Sequence, residues 1–493
     1  MPSTQTICRI VGPTIALLVY WACRGGIGLD HSASMTAAVT AWCAVWWCTE
    51  AVPIPVTSLI PFAVFPFAGV LDHAQLASTW GDKFILLFMG GFMISRAAEH
   101  SNTHLRVAHG VLRLVGMRSN RRIIIGFMLA TAFCSMWISN TATALIMLPV
   151  AIAVIQQNAA RGAEGDRFAV GLLLAIAYGA SIGGVATLVG TPPNGVMAAV
   201  YESEFGRTID FLSWMKVGMP VAVLMLIACG VLLTVRVKGA GQQTDGSLGP
   251  WTPAQRRMLT VLIITAALWI TRKLPGGLGG WSVWLDMPKA HDATVALLVV
   301  VALFLIPSGE RDHGGRRRQL LDWKTACDIP WGILILFAGG LAIAKAFAVS
   351  GLAADVGDGL QRVTDGLHPI LIIGLICLLV TFVTEVTSNT ATTALLMPIL
   401  ATAGMTAGID SALFMVPAAL SASCAFMLPI ATPPNAIVFG GSNQITIPKM
   451  VRYGVILNLI GAVVITLVCY AVLSPETGLG GSALPMAEQL SQP

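Results

Sequence analysis

The sequence has few charged residues, which excludes most soluble proteins. Of its 493 residues only 11% are Asp, Glu, Lys or Arg, whereas a soluble globular protein carries about 25%. Hydrophobic residues make up 56% of the chain, the mean hydropathy is +0.78, and apolar runs of bilayer-spanning length recur. The sequence therefore predicts an all-α polytopic membrane protein.

The sequence also lacks the signatures of enzymes and ATP-driven pumps. No P-loop or other nucleotide motif is present. Most of the ten cysteines fall within apolar runs without metal-ligand spacing, and the eight histidines fall in predicted loops or helix ends. The net charge of +5 is small and implies no nucleic acid. We therefore predict neither an enzyme nor a protein with an organic cofactor.

What the sequence does contain is a polar cluster that occurs twice within apolar sequence. Ser139-Asn140-Thr141 recurs as Ser388-Asn389-Thr390, and each residue of the second copy lies 249 positions after its counterpart. Unsatisfied amides and hydroxyls are costly in apolar surroundings. The cluster must therefore bond to its own backbone, bridge packed helices, or bind something polar. Its duplication favours binding.

Each copy lies within an apolar stretch too long for one membrane span of roughly 20 residues. We therefore predict two re-entrant hairpins, residues 121–156 and 369–404, with the polar triplets at their tips. Such backbone is tolerated at membrane depth where it is buried in protein or lines a cavity.

A second motif also occurs twice, as Thr191-Pro192-Pro193-Asn194 and Thr432-Pro433-Pro434-Asn435. Consecutive prolines lack backbone donors and break a helix. We predict broken helices over 168–200 and 411–440, with free carbonyls for a cation. Duplicated broken helices are typical of secondary transporters.

These motifs divide the chain into two repeats. We expect an N-terminal helix in 1–34, a first repeat in 35–236, a cytoplasmic linker in 237–257, an inverted second repeat in 258–473 and a tail in 474–493. No convincing cleavage site follows the first apolar run, so we interpret it as a membrane helix and not a removed signal. About 11 transmembrane helices result.

Loop charges indicate the orientation. Basic residues dominate the predicted cytoplasmic loops, and acidic residues such as Glu202 and Asp210 lie in the predicted outer loops. Arg272, Lys273 and Lys289 are exceptions. We predict a multi-pass protein of the inner (plasma) membrane, with the N-terminus cytoplasmic, the C-terminus outside, and hairpins entering from opposite faces.

Three charged residues beside or within apolar segments have open interpretations. Glu50 and Glu385 are functional candidates because intramembrane acids often are, but either could cap or pair at a helix end. Lys345 could pair with an acid or extend its amine to the membrane surface.

The triplets, the Thr-Pro-Pro-Asn motifs and the segments 49–55 and 330–334 resemble those of the divalent anion:sodium symporter family. The resemblance extends from about Trp46 to the last helix. It implies eleven helices, two opposed hairpins, a homodimer and an elevator motion of a transport domain against a scaffold.

The resemblance also implies site residues. Sodium ions would bind Ser135, Ser139, Asn140 and Gly190 at the first site, and Thr384, Thr387, Asn389 and Ala431 at the second. Substrate carboxylates would contact Asn140, Thr141, Asn389, Thr390, Thr432 and Pro433.

These features predict a Na⁺-coupled importer of C4-dicarboxylates such as succinate, malate or fumarate, with Na⁺ as coupling ion and the bilayer as its setting. Within this fold, the alternatives are a dicarboxylate exchanger and a Na⁺-coupled sulfate or citrate transporter. Outside it, they are an intramembrane enzyme and a non-transporting receptor.

Overall fold

A computed structural model describes residues 4–116, 118–157, 163–239, 249–274, 278–311, 315, 317–356 and 366–474. The described chain is almost entirely helical, as predicted. The long and medium helices are Thr4–Trp21, His31–Thr49, Lys83–His100, Thr103–Val115, Asn120–Ser135, Asn140–Gln157, Ala163–Val185, Pro192–Phe205, Phe211–Thr234, Pro253–Ile270, Asp292–Leu305, Trp331–Ser350, Pro369–Val383, Asn389–Thr406, Ala412–Ala422 and Ile447–Leu473. The short helices are Ala22–Ile27 (a π-helix), Ile54–Thr57, Ile60–Phe67, His73–Trp80, Trp281–Trp284, Trp323–Cys327 and Pro433–Gly440.

Six segments of the described chain are long and apolar enough to cross a membrane. They are Thr6–Ile27, Asn140–Gln157, Glu164–Val185, Phe211–Thr234, Trp331–Ser350 and Ile447–Leu473. Four shorter apolar segments are Ile54–Phe67, Asp292–Leu305, Pro369–Val383 and Ala412–Ala422. The number of helices that cross the membrane stays a prediction.

Each segment predicted as a hairpin contains two helices joined by a short turn, and its re-entrant path in the membrane stays a prediction. In the first, Asn120–Ser135 is followed by Asn140–Gln157. In the second, Pro369–Val383 is followed by Asn389–Thr406. Each polar triplet begins the second helix of its hairpin, because its serine caps that helix: Ser139 Oγ accepts from the Ala142 amide over 3.2 Å, and Ser388 Oγ from the Ala391 amide over 3.5 Å.

The helix breaks lie earlier than the prolines suggested. The first broken helix stops at Val185 and resumes at Pro192, and the second stops at Ala422 and resumes at Pro433. The prolines occupy the first two positions of the new helix, where the missing N–H costs nothing. They therefore start helices, and the breaks are the irregular segments 186–191 and 423–432.

The apolar segment that follows Pro53 forms two short helices, Ile54–Thr57 and Ile60–Phe67. Pro61 has no N–H to bond the Thr57 carbonyl, which lies four residues earlier. The Cys43 thiol approaches that carbonyl instead, at 3.8 Å.

Several small elements were missed. They include the strongly amphipathic helix Thr103–Val115 and the antiparallel strands Pro307–Arg311 and Arg317–Gln319. The first is too charged to register as a membrane span, and the strands lie in a basic loop with no clear alternation.

Close backbone contact joins the first hairpin to the first broken helix. A Cβ at Gly179 would lie 2.8 Å from the Met128 carbonyl oxygen, and one at Gly183 would overlap the Ala132 backbone. Small residues four positions apart allow helices to approach this closely. The hairpins, the broken helices, Phe211–Thr234 and Ile447–Leu473 pack together as one group. It meets the other helices mainly along Trp331–Ser350, His31–Thr49 and Lys83–His100.

One of the charges that departed from the loop pattern, Arg272, has a buried partner. Arg272 is 3% exposed, and its Nε lies 2.5 Å from Oδ1 of the fully buried Asp292. Asp292 Oδ2 also accepts from the Phe211 amide over 2.9 Å. Arg272 is therefore a neutralised structural charge and not a loop cation.

Lys345 extends its amine to the Ser78 hydroxyl at 2.9 Å. No ion pair of Lys345 appears within the described part of the chain. On the outer side predicted from the loops, Lys83 pairs with Glu202 and so links the two groups of helices.

Parts of the predicted organisation lie outside the described residues. Most of the tail (475–493) and the central part of the linker (240–248) belong to this set.

Candidate functional site

A large cavity of about 1150 Å³ lies where the two hairpins and the two breaks meet. Its lining includes most of the residues singled out in the sequence: Ser139, Asn140, Thr141, Gly190, Thr387, Asn389, Thr390, Ala431, Thr432 and Pro433. Ser135 and Thr384 do not line it and are fully buried behind the tips. The fold thus brings together two motifs that are about 250 residues apart in the chain.

The first tip is held by its own polar side chains. Ser135 Oγ donates to Asn140 Oδ1 over 2.5 Å. Thr187, from the neighbouring break, donates its hydroxyl to the Met136 carbonyl over 2.6 Å. A Cβ at Gly184 would lie 2.8 Å from Asn140 Oδ1 and 3.2 Å from the Gly190 carbonyl oxygen. Oxygen atoms of the tip and the break therefore converge around Gly184.

The second tip repeats this arrangement. Thr384 Oγ1 lies 2.6 Å from Asn389 Oδ1 and 3.0 Å from the Ala422 carbonyl oxygen. Thr387 donates to the Val383 carbonyl over 2.9 Å, and its hydroxyl is 2.7 Å from that of Thr392. Hydroxyl and carbonyl oxygens of this kind suit a hard cation.

The two tips differ in one charged residue. Met136 in the first corresponds to Glu385 in the second. Glu385 is 3% exposed, and its carboxylate accepts from the amides of Phe426, Met427 and Leu428 at 2.8–2.9 Å and from Asn458 at 2.7 Å. It thus binds the backbone amides of the second break, which is a structural role. Glu50 is exposed and lines the cavity.

The cavity is suited to an anion despite the absence of Lys and Arg at the tips. Four helices begin at it, at Asn140, Pro192, Asn389 and Pro433. A helix N-terminus carries a partial positive charge, and the two that begin at Asn140 and Asn389 also present N–H groups, whereas those at Pro192 and Pro433 begin with two prolines, which have none. Because carbonyl and hydroxyl oxygens lie beside these N-termini, the same region offers contacts to a cation and an anion.

Apolar lining residues were not singled out in the sequence. Trp137, in the first tip, stacks on Phe211, which stacks on Trp269, with ring centroids 5.9 and 4.9 Å apart. Trp137 and Trp269 both line the cavity. Trp137 could have been noticed because it interrupts the duplicated polar motif, whereas Phe211 and Trp269 carry no local signal.

Charged residues lie elsewhere along the cavity wall. Arg96 pairs with Glu99, at 2.5 Å, and with Asp328, and all three line the cavity. They lie at the ends of helices adjoining the basic loops, away from the tips.

Two hairpin tips and two helix breaks around one cavity, in a bundle of apolar helices, define a membrane transporter. The chain belongs to the family described as the sodium:sulfate symporter transmembrane region, whose model matches residues 4–473. This confirms the family indicated by the sequence motifs, a family of symporters and not of enzymes.

Named relatives and solved structures agree with this. The chain is 38% identical to the sodium-dependent dicarboxylate transporter SdcS of Staphylococcus saprophyticus, over 96% of this chain and 92% of that protein. It is 39% identical to SdcS of Staphylococcus aureus, with the same coverage. The fold is similar to the YdaH transporter of Alcanivorax borkumensis, with a TM-score of 0.60, 15% identity, and coverage of 92% and 100%. It is also similar to MtrF of Neisseria gonorrhoeae, with a TM-score of 0.57, 13% identity, and coverage of 93% and 98%.

Proposed function

We propose that this protein is a Na⁺-coupled importer of C4-dicarboxylates such as succinate, malate or fumarate. The observation that carries the proposal is the meeting of both hairpin tips and both breaks at one cavity. The SdcS relatives, described as sodium-dependent dicarboxylate transporters, support the choice of ion and substrate.

The substrate contacts follow from the helix N-termini. One carboxylate meets Asn140 and Thr141 at the first tip, and the other meets Asn389 and Thr390 at the second. Thr432 and Pro433 complete the site at the start of the second broken half-helix. A dianion placed here receives N–H and O–H donors without a basic side chain at the tips, so sodium ions supply the missing positive charge.

The sodium ligands are oxygen atoms next to these donors. Ser135, Ser139, Asn140 and the Gly190 carbonyl form the first site, and Thr384, Thr387, Asn389 and the Ala431 carbonyl form the second. Ser135 and Thr384 currently donate to the asparagine oxygens. An ion between these oxygen pairs requires each hydroxyl to rotate its proton away. Sodium binding would thereby fix the asparagine side chains before the anion arrives.

Transport follows an elevator motion in this proposal. The group containing the hairpins moves against the remaining helices, in a homodimer of the plasma membrane with about eleven membrane helices per chain. The N-terminus is cytoplasmic and the C-terminus outside. Arg96, Glu99 and Asp328 line the cavity and adjoin the basic loops, so we assign this conformation to the inward-facing state.

The test is radiolabelled succinate uptake into proteoliposomes, with an inward Na⁺ gradient or with K⁺ in its place. Symport requires uptake with Na⁺ and none with K⁺. Uptake that ignores Na⁺ and rises with internal succinate would identify an exchanger instead. Competition by unlabelled sulfate and citrate, each at the same concentration as unlabelled malate, ranks the substrates. Stronger inhibition by sulfate would overturn the dicarboxylate assignment.

A further inference from the structure

The last residue of each Thr-Pro-Pro-Asn motif lies outside the cavity lining but makes a distinctive pair of contacts. Asn194 is fully buried, and its Nδ2 donates to the carbonyls of Gly184 at 3.2 Å and Thr187 at 2.8 Å. Asn435, also fully buried, donates to Ala425 at 3.2 Å and Leu428 at 3.0 Å. In both copies the acceptors lie ten and seven residues before the asparagine.

The carbonyls of Thr187, Ala425 and Leu428 belong to the irregular breaks, and the carbonyl of Gly184 belongs to the last turn of the helix before the first break. The last carbonyls of a helix have no partner within it. A primary amide carries two N–H groups in one plane and can therefore join two carbonyls that a single hydroxyl could not. Each asparagine thus connects the start of the second half-helix back to the end of the first.

The first break is held between this amide and the hairpin tip. A Cβ at Gly184 would contact Asn140 Oδ1 at 2.8 Å, and one at Gly190 would overlap the Gly184 carbonyl. The carbonyl of Gly184 therefore accepts from Asn194 while its α-carbon faces the tip asparagine. Moving Asn194 would move Gly184 and Gly190 together.

The side-chain oxygen of each asparagine also indicates that the amide has a role beyond packing. No donor among the described residues reaches Asn194 Oδ1 or Asn435 Oδ1, and both atoms are buried. A buried acceptor without a donor is unfavourable. An apolar side chain of similar size would avoid this cost, so packing alone does not account for an amide at both positions.

We infer that Asn194 and Asn435 are positioning residues for the two sodium sites. Each fixes the shape of a break, and so the direction of the Gly190 or Ala431 carbonyl, without contacting ion or substrate. The inference rests on the proposed function, because it assigns these two carbonyls to sodium.

The test compares Asn194→Leu and Asn435→Leu with wild type, each reconstituted as the full chain. Initial rates of radiolabelled succinate uptake are measured across Na⁺ concentrations. Losing two hydrogen bonds at a break raises the half-saturating Na⁺ concentration by about tenfold or more. The succinate KM at saturating Na⁺ stays unchanged, because the tips retain their donors.

Asn120→Leu is the matched control. Asn120 is also buried, donates its amide to the Lys238 carbonyl over 3.0 Å and has an unpaired side-chain oxygen. It begins the helix Asn120–Ser135, at the end opposite to the tip and the proposed sodium sites. We expect Asn120→Leu to leave the half-saturating Na⁺ concentration at the wild-type value.

If the two asparagines only stabilise the fold, their loss lowers the uptake rate by the same factor at every Na⁺ concentration. The half-saturating Na⁺ concentration then stays unchanged. That result in both leucine variants overturns the inference. If a leucine variant aggregates on size-exclusion chromatography, Asn→Ser replaces it. Serine keeps one donor, so the same shift should appear at smaller size, and its absence counts equally against the inference.

A second measurement does not depend on transport. Na⁺ added without succinate raises the melting temperature of a protein that binds it in the folded state. We expect the two leucine variants to need a higher Na⁺ concentration for the same rise in melting temperature.

The proposed function and the positioning role can be contradicted separately. The proposed function is wrong if wild-type uptake is independent of Na⁺. Only the positioning role is wrong if wild-type uptake requires Na⁺ and both variants have the wild-type half-saturating Na⁺ concentration.

Discussion

Thr384 donates its hydroxyl to the side-chain oxygen of Asn389 over 2.6 Å, and Ser135 and Asn140 make the same contact, over 2.5 Å, in the first hairpin. In both hairpins the pair connects the end of the first helix to the start of the second. Each tip therefore holds two oxygen atoms close together, with one proton between them.

Removing the Thr384 hydroxyl should weaken sodium activation. Valine has nearly the same shape but no oxygen, so we expect Thr384→Val to raise the half-saturating Na⁺ concentration by about tenfold, while Thr384→Ser stays near wild type. The measurement is succinate uptake against Na⁺. Thr381→Val is the control, since Thr381 is buried one turn earlier and its hydroxyl has no partner among the described residues. Equal curves for Thr384→Val and Thr381→Val would exclude Thr384 as a ligand.

Replacing either tip asparagine by alanine should abolish transport. Asn140→Ala and Asn389→Ala remove the contacts that we propose to both ion and anion, and a lost bond to a charged group costs about 1.5–3 kcal/mol. We expect uptake to fall at least about tenfold per contact, with an unchanged elution volume on size-exclusion chromatography. Asn443→Ala, at an exposed position, should transport normally. Wild-type rates in either tip variant would show that the site is elsewhere.

Glu385 should be required for the stability of the second break. Its carboxylate accepts four N–H groups, whereas a glutamine would turn an amide group toward some of the same donors. Because hydrogen bonds to charged groups contribute about 1.5–3 kcal/mol each, Glu385→Gln should clearly lower the melting temperature. The exposed Glu50→Gln should leave it unchanged. Equal melting temperatures for the two variants would mean that the carboxylate does not hold the break.

The Arg272–Asp292 pair provides a test that is independent of the sodium sites. Breaking a buried pair from one side costs about 3–5 kcal/mol when the remaining charge is left unpaired, although Arg272 keeps Asp210 at 3.7 Å when Asp292 is replaced. Asp292→Asn and Arg272→Met should each lower thermal stability strongly, and the double variant should recover part of the loss. Asp166→Asn, which breaks the partly exposed pair with Lys449, should change stability by less than about 1 kcal/mol. Similar effects at both pairs would contradict the importance of burial.

Much of this site could be predicted from sequence because its residues violate a local rule. Polar triplets inside apolar runs require an explanation wherever they occur, and Asn140 and Asn389 were found for that reason. The breaks were predicted near the correct place, but the physical reason given for them was wrong. We expected the prolines to end helices, whereas Pro192 and Pro433 start them.

Features that depend on a distant partner could not be predicted. The pairing of Arg272 with Asp292 is determined by tertiary packing, so Arg272 appeared only as an exception to the charge pattern. The three backbone amides that donate to Glu385 belong to residues about 40 positions later in the chain. No local sequence pattern indicates these contacts. Asn194 was recognised in the sequence as part of a motif. Its two acceptors are known only from the structure of the break.

The contact of Gly179 and Gly183 with the backbone of Met128 and Ala132 has a consequence for the cost of moving an ion. Helices this close cannot slide past each other without steric overlap, so in the proposed elevator motion the first hairpin and the first broken helix would move as one rigid body. A sodium ion at the proposed site between Asn140 and Gly190 would then keep its ligands while the group moves. It would lose its water once, on entry, and the barrier to the proposed motion would arise at the surface where the two groups of helices slide against each other.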